Sequence, residues 1–179
     1  MLDRRQLFVF VAAAAAATTL SASPLQAALR IKIERSVFLH NVHTGEKLKS
    51  VYWADGHYLP GPMREINHLL RDHYSGKIHA MAPQVIDLLC VMQHRLGTRK
   101  PFQIISGYRS PQTNAMLASY SDGVAQHSLH MEGKAVDIRL EGASVRSLGR
   151  AAKSLRLGGV GQYPESNFVH VDVGRVRYW

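Results

Sequence analysis

The first half of the sequence predicts a β-hairpin followed by two helices. Apolar and polar residues alternate in RIKIERSVFLH, a turn with a glycine follows in NVHTGEK, and KSVYWADGHYL supplies a second extended run. These features indicate a hairpin within residues 29–59. Pro62 can open a helix with one apolar face, and Pro83 can open another that ends at Gly97.

The second half continues with short strands and helices in irregular order. Residues 102–105 form an apolar β run, and Ser110 with a following proline is typical of a helix start. AVDIRL predicts a strand, residues 143–155 a helix, and FVHVDV a second short strand. This order predicts the α+β class, in which a small single domain has a mixed or antiparallel sheet with flanking helices.

Residues 1–27 have the composition of a secretory signal. A basic Arg4-Arg5 pair precedes an apolar, alanine-rich stretch and then small residues before Ala28. The consecutive arginines also resemble a twin-arginine signal, which carries folded proteins across the bacterial inner membrane. We therefore expect a periplasmic protein whose mature domain spans residues 28–179. The apolar stretch is weaker than a membrane span requires, so we expect no stable span after cleavage.

Charge and cysteine content narrow the classes of partner. The chain has 22 Lys and Arg against 13 Asp and Glu, for a net charge of +9, which favours an anionic partner or simply a solvated basic surface. No run of five basic residues occurs, and an exported protein does not meet nucleic acid, so we expect no nucleic-acid partner. Cys90 is the single cysteine and lies in the apolar run IDLLCVM, which predicts a buried thiol and no internal disulfide.

Three residues suggest a metal site. Asp137 lies in the apolar run AVDI, where a carboxylate is costly to bury without a compensating cation or hydrogen bonds. In FVHVDV, Phe168, His170 and Asp172 project from one face of a strand. His130, Asp137 and His170 could together supply the three protein ligands of a zinc site whose fourth position is open to water. The alternative is that Asp137 caps a loop and His170 is a core histidine.

The stretch SLHMEGKAVD matches S-x-H-x-x-G-x-A-x-D, the signature of zinc peptidases that include D-alanyl-D-alanine carboxypeptidases, phage endolysins and the hedgehog signalling domain. With SGYRSPQTNAML and the closing GGVGQYPESNFVHVDVGRVRYW, the chain resembles the YcbK-like (MepK) murein endopeptidases over nearly all of residues 28–179. The resemblance implies a hedgehog/DD-peptidase-like α+β domain, one Zn²⁺, and hydrolysis of peptide bonds in peptidoglycan. We expect a monomer, although the sequence does not define the oligomeric state. It assigns His130, Asp137 and His170 as the metal ligands.

The resemblance also implies roles for residues around the ligands. Arg109 in SGYRS looks like the family arginine that polarises the scissile carbonyl or binds a substrate carboxylate. The alternative is a loop arginine paired with Asp122 or Glu165. Ser128 is expected to order the loop or to contact substrate, and Gly133 to permit a close turn.

The resemblance does not assign the general base. Related dipeptidases have a Glu three residues before the last histidine ligand, where this chain has Asn167, which cannot accept a proton. Asp172 is the first candidate, although a carboxylate that orients the histidine ligand would have the same pattern. Glu165 and Glu132 are the other candidates. His127 is expected to be a substrate contact or an ordinary exposed histidine.

These assignments predict a zinc-dependent peptidoglycan hydrolase that cleaves peptide bonds in murein stem peptides or cross-links. They leave open whether the enzyme is an endopeptidase or a carboxypeptidase, and whether it cuts between two diaminopimelate residues or after D-alanine. Two alternatives remain: a zinc-containing module that binds peptidoglycan without cutting it, which the missing glutamate favours, and a metal-free exported scaffold.

Overall fold

The structure is a computed structural model that describes residues 34–121 and 123–179. The predicted signal at residues 1–27 and the first residues of the predicted mature domain lie outside these ranges. Within the described ranges, no helix is both long enough and apolar enough to cross a membrane.

Four α-helices and one sheet make up the described part of the chain. In chain order the elements are β1 (Glu34–Asn41), β2 (Lys47–Ala54), β3 (His57–Tyr58), α1 (Pro60–Leu69), α2 (Pro83–Arg95), β4 (Phe102–Ser106), α3 (Pro111–Tyr120), a short 3₁₀ helix (Leu129–Glu132), β5 (Ala135–Leu140), α4 (Val145–Leu155), β6 (Gly159–Tyr163), β7 (Phe168–Asp172) and β8 (Arg177–Tyr178). The sheet order is β3-β2-β1-β4-β5-β7-β6-β8. Parallel pairing occurs between β1 and β4 and between β6 and β8, whereas the other pairs are antiparallel. The predicted α+β class with a mixed sheet is confirmed.

Most predicted elements occur where the sequence places them. β1 and β2 form the expected hairpin, and AVDIRL is β5. α1 begins at Pro60, two residues before the predicted start. α4 begins after Ser144, whose side chain accepts a hydrogen bond from the backbone N–H of Ser147 and so caps the helix. β3 lies within the predicted second extended run as a separate strand, whereas β6 and β8 were not predicted.

The core lies between the sheet and helices α1, α2 and α4. Strand residues such as Leu39, Phe102 and Ile138 are fully buried and pack with helix residues that include Leu89 and Leu148. Cys90 is 1% exposed and belongs to the same cluster, so the prediction of a buried thiol is confirmed. One face of β5 and β7 is covered by this core, which leaves the opposite face for polar side chains.

Candidate metal centre and its pocket

Two neighbouring strands place a carboxylate against an imidazole. β5 and β7 are antiparallel, and Asp137 is the direct cross-strand partner of His170. Val169 and Val171 on β7 are fully buried in the core, so His170 projects from the other face of the strand. The Oδ1 atom of Asp137 lies 2.9 Å from Nδ1 of His170.

His130 reaches the same point from the 3₁₀ helix. The side chain of Ser128 caps this helix by accepting from the backbone N–H of His130 at 3.4 Å. Nε2 of His130 lies 3.2 Å from Nδ1 of His170 and 3.3 Å from Oδ1 of Asp137. The three predicted ligand residues therefore converge on one point.

Gly133 ends the 3₁₀ helix and allows the chain to turn close to the backbone of Ala80. Its φ of +64° lies in the left-handed region, where glycine carries no steric penalty. A Cβ at this position would lie 2.5 Å from the carbonyl oxygen of Ala80. The close turn expected at Gly133 is therefore confirmed.

The second nitrogen of each histidine is held by a hydrogen-bond acceptor. Nδ1 of His130 lies 2.7 Å from the carbonyl oxygen of Gly107, which can accept only if this nitrogen carries the proton. Nε2 of His170 lies 3.0 Å from Oδ2 of Asp172. When both rings are neutral, as metal binding requires, these acceptors favour tautomers in which Nε2 of His130 and Nδ1 of His170 present lone pairs toward Asp137.

The converging atoms fit a tetrahedral metal ion. Nitrogen and oxygen ligands lie about 2.0–2.1 Å from zinc, and two such ligands of a tetrahedral ion are about 3.3 Å apart. The three separations here are 2.9, 3.2 and 3.3 Å. Two imidazoles and one carboxylate are also the donor types of hydrolytic zinc sites. The residues present therefore fit the ion that the sequence predicts.

Electrostatics keep Asp137 ionised. Burial by itself raises the pKa of Asp137, but the charges and hydrogen bonds of His130 and His170 outweigh it and hold the pKa well below its usual range. Burial lowers the pKa of His170, whereas hydrogen bonds to Asp137 and Asp172 raise it, with a net pKa of about 9. The carboxylates of Asp137 and Asp172 thus favour a cation at His170, either a proton or a metal ion.

Asp172, the first candidate for the general base, lies behind His170 and does not line the pocket described below. Its side chain is fully buried. Its oxygens accept from the backbone N–H groups of Gly159 and Gly174 and from the guanidinium of Arg177, besides contacting His170. Burial raises the pKa of Asp172, but these hydrogen bonds lower it well below its usual range. Such a carboxylate is a poor proton acceptor, so the geometry favours the alternative role of orienting His170.

Arg109 lies beside the cluster. One guanidinium nitrogen is 3.6 Å from Oδ2 of Asp137 and donates to Oγ of Ser106 at 3.3 Å, and the other donates to Oδ1 of Asn114 at 3.3 Å. Nε of Arg109 is buried and has no hydrogen-bond partner among residues 34–121 and 123–179. The predicted alternative partner Glu165 is not among these contacts, and Asp122 lies outside the described residues.

An open cavity of about 330 Å³ lies over the cluster. Besides the three converging residues, its wall includes Arg109, His127, Ser128, Tyr163, Arg177 and Trp179. His127 is exposed there and can meet a ligand. A second cavity of about 350 Å³ lies elsewhere on the sheet, beside Phe38 and Gln93, and contains none of the converging residues.

The other proposed carboxylates point elsewhere. Glu132 is half-exposed and pairs with Lys134 at 2.6 Å, and Glu165 is exposed in the turn between β6 and β7. Asn167 belongs to the same turn and has a φ of +54°, a left-handed conformation that asparagine tolerates well. The residue three before His170 therefore serves the turn in this chain.

Sequence reasoning missed three residues that shape this site. Gly107 supplies the carbonyl that holds His130, and a Cβ at Gly107 would meet the carbonyl of Leu70. Asp72 is buried and accepts from the backbone N–H of Ser110, next to Arg109. Trp179 lines the pocket beside His170. Of these three, only Gly107 could have been indicated by the sequence, through the small and turn-forming residues of SGYRS.

An α+β fold with a buried His–Asp–His cluster at the floor of an open pocket is typical of metal-dependent hydrolases. Residues 30–179 match the model of the peptidase M15 family described as peptidoglycan L,D-endopeptidase MepK, and the chain belongs to this family. The resemblance in the sequence is confirmed.

Curated relatives agree with this membership. The chain is 42% identical over 177 residues to the peptidoglycan L,D-endopeptidase MepK of Escherichia coli (strain K12), covering 99% of this chain and 97% of the relative. The same identity and coverage apply to the MepK of Shigella flexneri. A probable peptidoglycan L,D-endopeptidase MepK of Haemophilus influenzae is 40% identical over 146 residues, covering 81% of this chain and 78% of the relative.

Proposed function

We propose that this protein is an exported, zinc-dependent peptidoglycan endopeptidase that cleaves L,D-peptide bonds in murein cross-links. The observation that carries the proposal is the triangle of Nε2 of His130, Oδ1 of Asp137 and Nδ1 of His170, with sides of 2.9 to 3.3 Å, at the floor of the pocket. The membership of this chain in the MepK family supports peptidoglycan as the substrate and the L,D-peptide bond as the bond that is cleaved.

His130, Asp137 and His170 would hold the ion. A bound zinc ion supplies Lewis acidity, which activates water and polarises carbonyl oxygens. Gly107 and Asp172 contribute by holding the outer nitrogens of the two histidines, which directs the inner nitrogens to the cluster. The ligand geometry is thus fixed by backbone and buried groups before substrate arrives.

Arg109 supplies a fixed positive charge at the pocket. Its guanidinium is held by Ser106 and Asn114, and its side chain is 12% exposed. A planar cation in this position suits the carboxylates of stem peptides or the developing charge on a scissile carbonyl. We therefore assign Arg109 to substrate binding and charge stabilisation.

Asp172 is assigned to positioning and not to proton transfer. His127, which is exposed in the pocket, is placed where it can contact substrate or exchange a proton with water. The net charge of +9 favours the encounter with anionic stem peptides.

Purified protein incubated with defined cross-linked muropeptides tests the proposal. Mass spectrometry should show products cut at the cross-link, the products should vanish with a chelator, and stoichiometric zinc should restore them. Binding without products would support the non-catalytic module instead. Products that persist after complete removal of metal would contradict the zinc-dependent function.

A further inference from the structure

The indole of Trp179 forms one wall of the pocket. Its ring centroid is 5.4 Å from that of His170, and the residue is 47% exposed. Part of this large apolar surface is therefore open toward the pocket, directly beside the His–Asp–His cluster. An exposed tryptophan in such a place is a candidate binding surface.

Strand pairing and one side-chain hydrogen bond hold Trp179 in place. The backbone N–H of Trp179 donates to Val160 at 3.2 Å, and its carbonyl accepts from Gln162 at 3.1 Å. Nε1 of the indole donates to the hydroxyl of Tyr163 at 2.8 Å. Both the backbone and the ring are thus ordered before a ligand binds, which lowers the entropic cost of binding.

Gly161 provides the space that the indole occupies. On β6 it is the direct partner of His170, on the side of β7 opposite Asp137. A Cβ on Gly161 would lie 2.5 Å from Cε2 of Trp179. The indole therefore fills the position of the missing side chain and stands next to His170.

The chemistry around Trp179 combines aromatic surface with positive charge. Tyr163 and Phe168 stack with ring centroids 4.5 Å apart, and the guanidinium of Arg177 lies 4.9 Å from the Trp179 ring centroid. These residues line the pocket together. Because Arg177 is already paired with the buried Asp172, the wall chiefly suits the aliphatic stem of a peptide residue.

We infer that Trp179 is a substrate-binding residue, whose indole packs against the aliphatic part of a peptide residue beside the scissile bond. The inference rests on the proposed function, since it takes the pocket as the peptide-binding cleft. It adds a specificity determinant that holds the substrate without holding the metal.

Steady-state kinetics with Trp179→Ala and Gly161→Ala test the inference. Loss of the indole, or its displacement by the new Cβ, should raise KM for cross-linked muropeptides about tenfold, the loss expected for one well-packed aromatic contact. kcat and zinc content should change little. The matched control is Trp53→Phe, because Trp53 is also half-buried and lies 4.1 Å from an arginine guanidinium, but on β2.

Fluorescence provides a readout that does not depend on turnover. The chain has two tryptophans, so Trp53→Phe leaves Trp179 as the sole tryptophan. After rapid mixing of this zinc-loaded variant with muropeptide, its emission should change saturably before product appears. The reciprocal variant, Trp179→Phe, should show no such change.

The outcomes separate the two claims. A wild-type KM in Trp179→Ala, or constant Trp179 emission during hydrolysis, would overturn the inference while leaving the proposed function intact. A saturable emission change without any product would overturn the proposed function and support the binding role of Trp179. Absence of both product and emission change would overturn both.

Discussion

Asp137 and His170 face each other across β5 and β7, with Oδ1 of the aspartate 2.9 Å from Nδ1 of the histidine. Directly opposed residues of an antiparallel pair project side by side from one face of a sheet. The sheet register thus brings together two of the three proposed ligands without any loop. The third, His130, depends on a short helix and a glycine turn.

Replacing a proposed ligand should abolish both metal binding and activity. His130→Ala and Asp137→Ala each remove one of three donors, so metal analysis should show less than 0.1 zinc per chain, on the order expected when a three-ligand site loses a donor. His68→Ala is the matched control, because His68 is half-exposed and pairs with Glu46 on another part of the surface. Stoichiometric zinc in Asp137→Ala would remove Asp137 from the ligand set.

Asp172→Asn should weaken zinc binding without abolishing it. The change removes the charge that holds Nε2 of His170, and loss of such a partner typically lowers metal affinity about 10–100-fold. Competition with a fluorescent chelator would measure this affinity. If instead the affinity stayed at the wild-type value while kcat fell and an arm of the pH–rate profile disappeared, Asp172 would be the proton acceptor after all.

Arg109→Lys should keep the positive charge but lose the planar guanidinium group with its paired N–H donors. We expect kcat/KM to fall about 100-fold with the zinc content unchanged, by analogy with loss of one transition-state donor. Arg99→Lys, a conservative change of an exposed arginine outside the pocket, is the control. Equal kcat/KM for Arg109→Lys and the wild type would show that the guanidinium group of Arg109 does not contact the reacting peptide.

Gly133→Ala should destabilise the protein more than Gly97→Ala. Both glycines have similar φ values, +64° and +59°, so the backbone penalty is nearly matched. Only at Gly133 would the added Cβ meet a backbone atom, the Ala80 carbonyl at 2.5 Å, whereas nothing lies within 4 Å at Gly97. The difference in free energy of unfolding should be about 1–3 kcal/mol, measured by urea denaturation. Equal losses of unfolding free energy in the two variants would mean that the 3₁₀ helix moves away from the Ala80 carbonyl at no energetic cost.

Asp72 should make stability depend on pH in the acidic range. Burial raises the pKa of Asp72, but hydrogen bonds from Thr113, Ser110 and Ser75 outweigh it and lower the pKa well below its usual range. A lowered pKa contributes stability that is fully present above the unfolded-state pKa of about 4 and is lost as the pH falls below it.

The matching variant is Asp72→Asn. At pH 7 it should lower the free energy of unfolding by about 2 kcal/mol, the scale of hydrogen bonds to a charged group, and the difference from wild type should shrink toward pH 2. Urea denaturation across this pH range measures the difference. A gap that stayed constant from pH 7 to pH 2 would show that Asp72 does not act through its charge.

Local patterns predict most of the helices and strands, whereas the pairing of His170 with the distant His130 and Asp137 follows from the family resemblance. Alternation defines β5 and β7, and the fixed spacing between His130 and Asp137 follows from a turn and a strand. β6 was missed because GGVGQY contains three glycines, and glycine is depleted in strands. Yet Gly161 in this strand makes room for Trp179.

Contacts between distant parts of the chain could not be predicted. Asp72 and Ser110 are 38 residues apart, and the parallel pairing of β1 with β4 joins segments separated by two helices. The role of Asp172 was equally hidden. The strand pattern places it on the face of His170, but only the contacts to Arg177, Gly159 and Gly174 show that its oxygens are occupied.

Anomalous diffraction at the zinc edge, from crystals of the protein purified with its native metal, tests the central claim most directly. The account predicts one strong peak per chain, within bonding distance of Nε2 of His130, Oδ1 of Asp137 and Nδ1 of His170. A zinc peak elsewhere in the chain, with these three side chains hydrogen-bonded to one another and no ion between them, would contradict it.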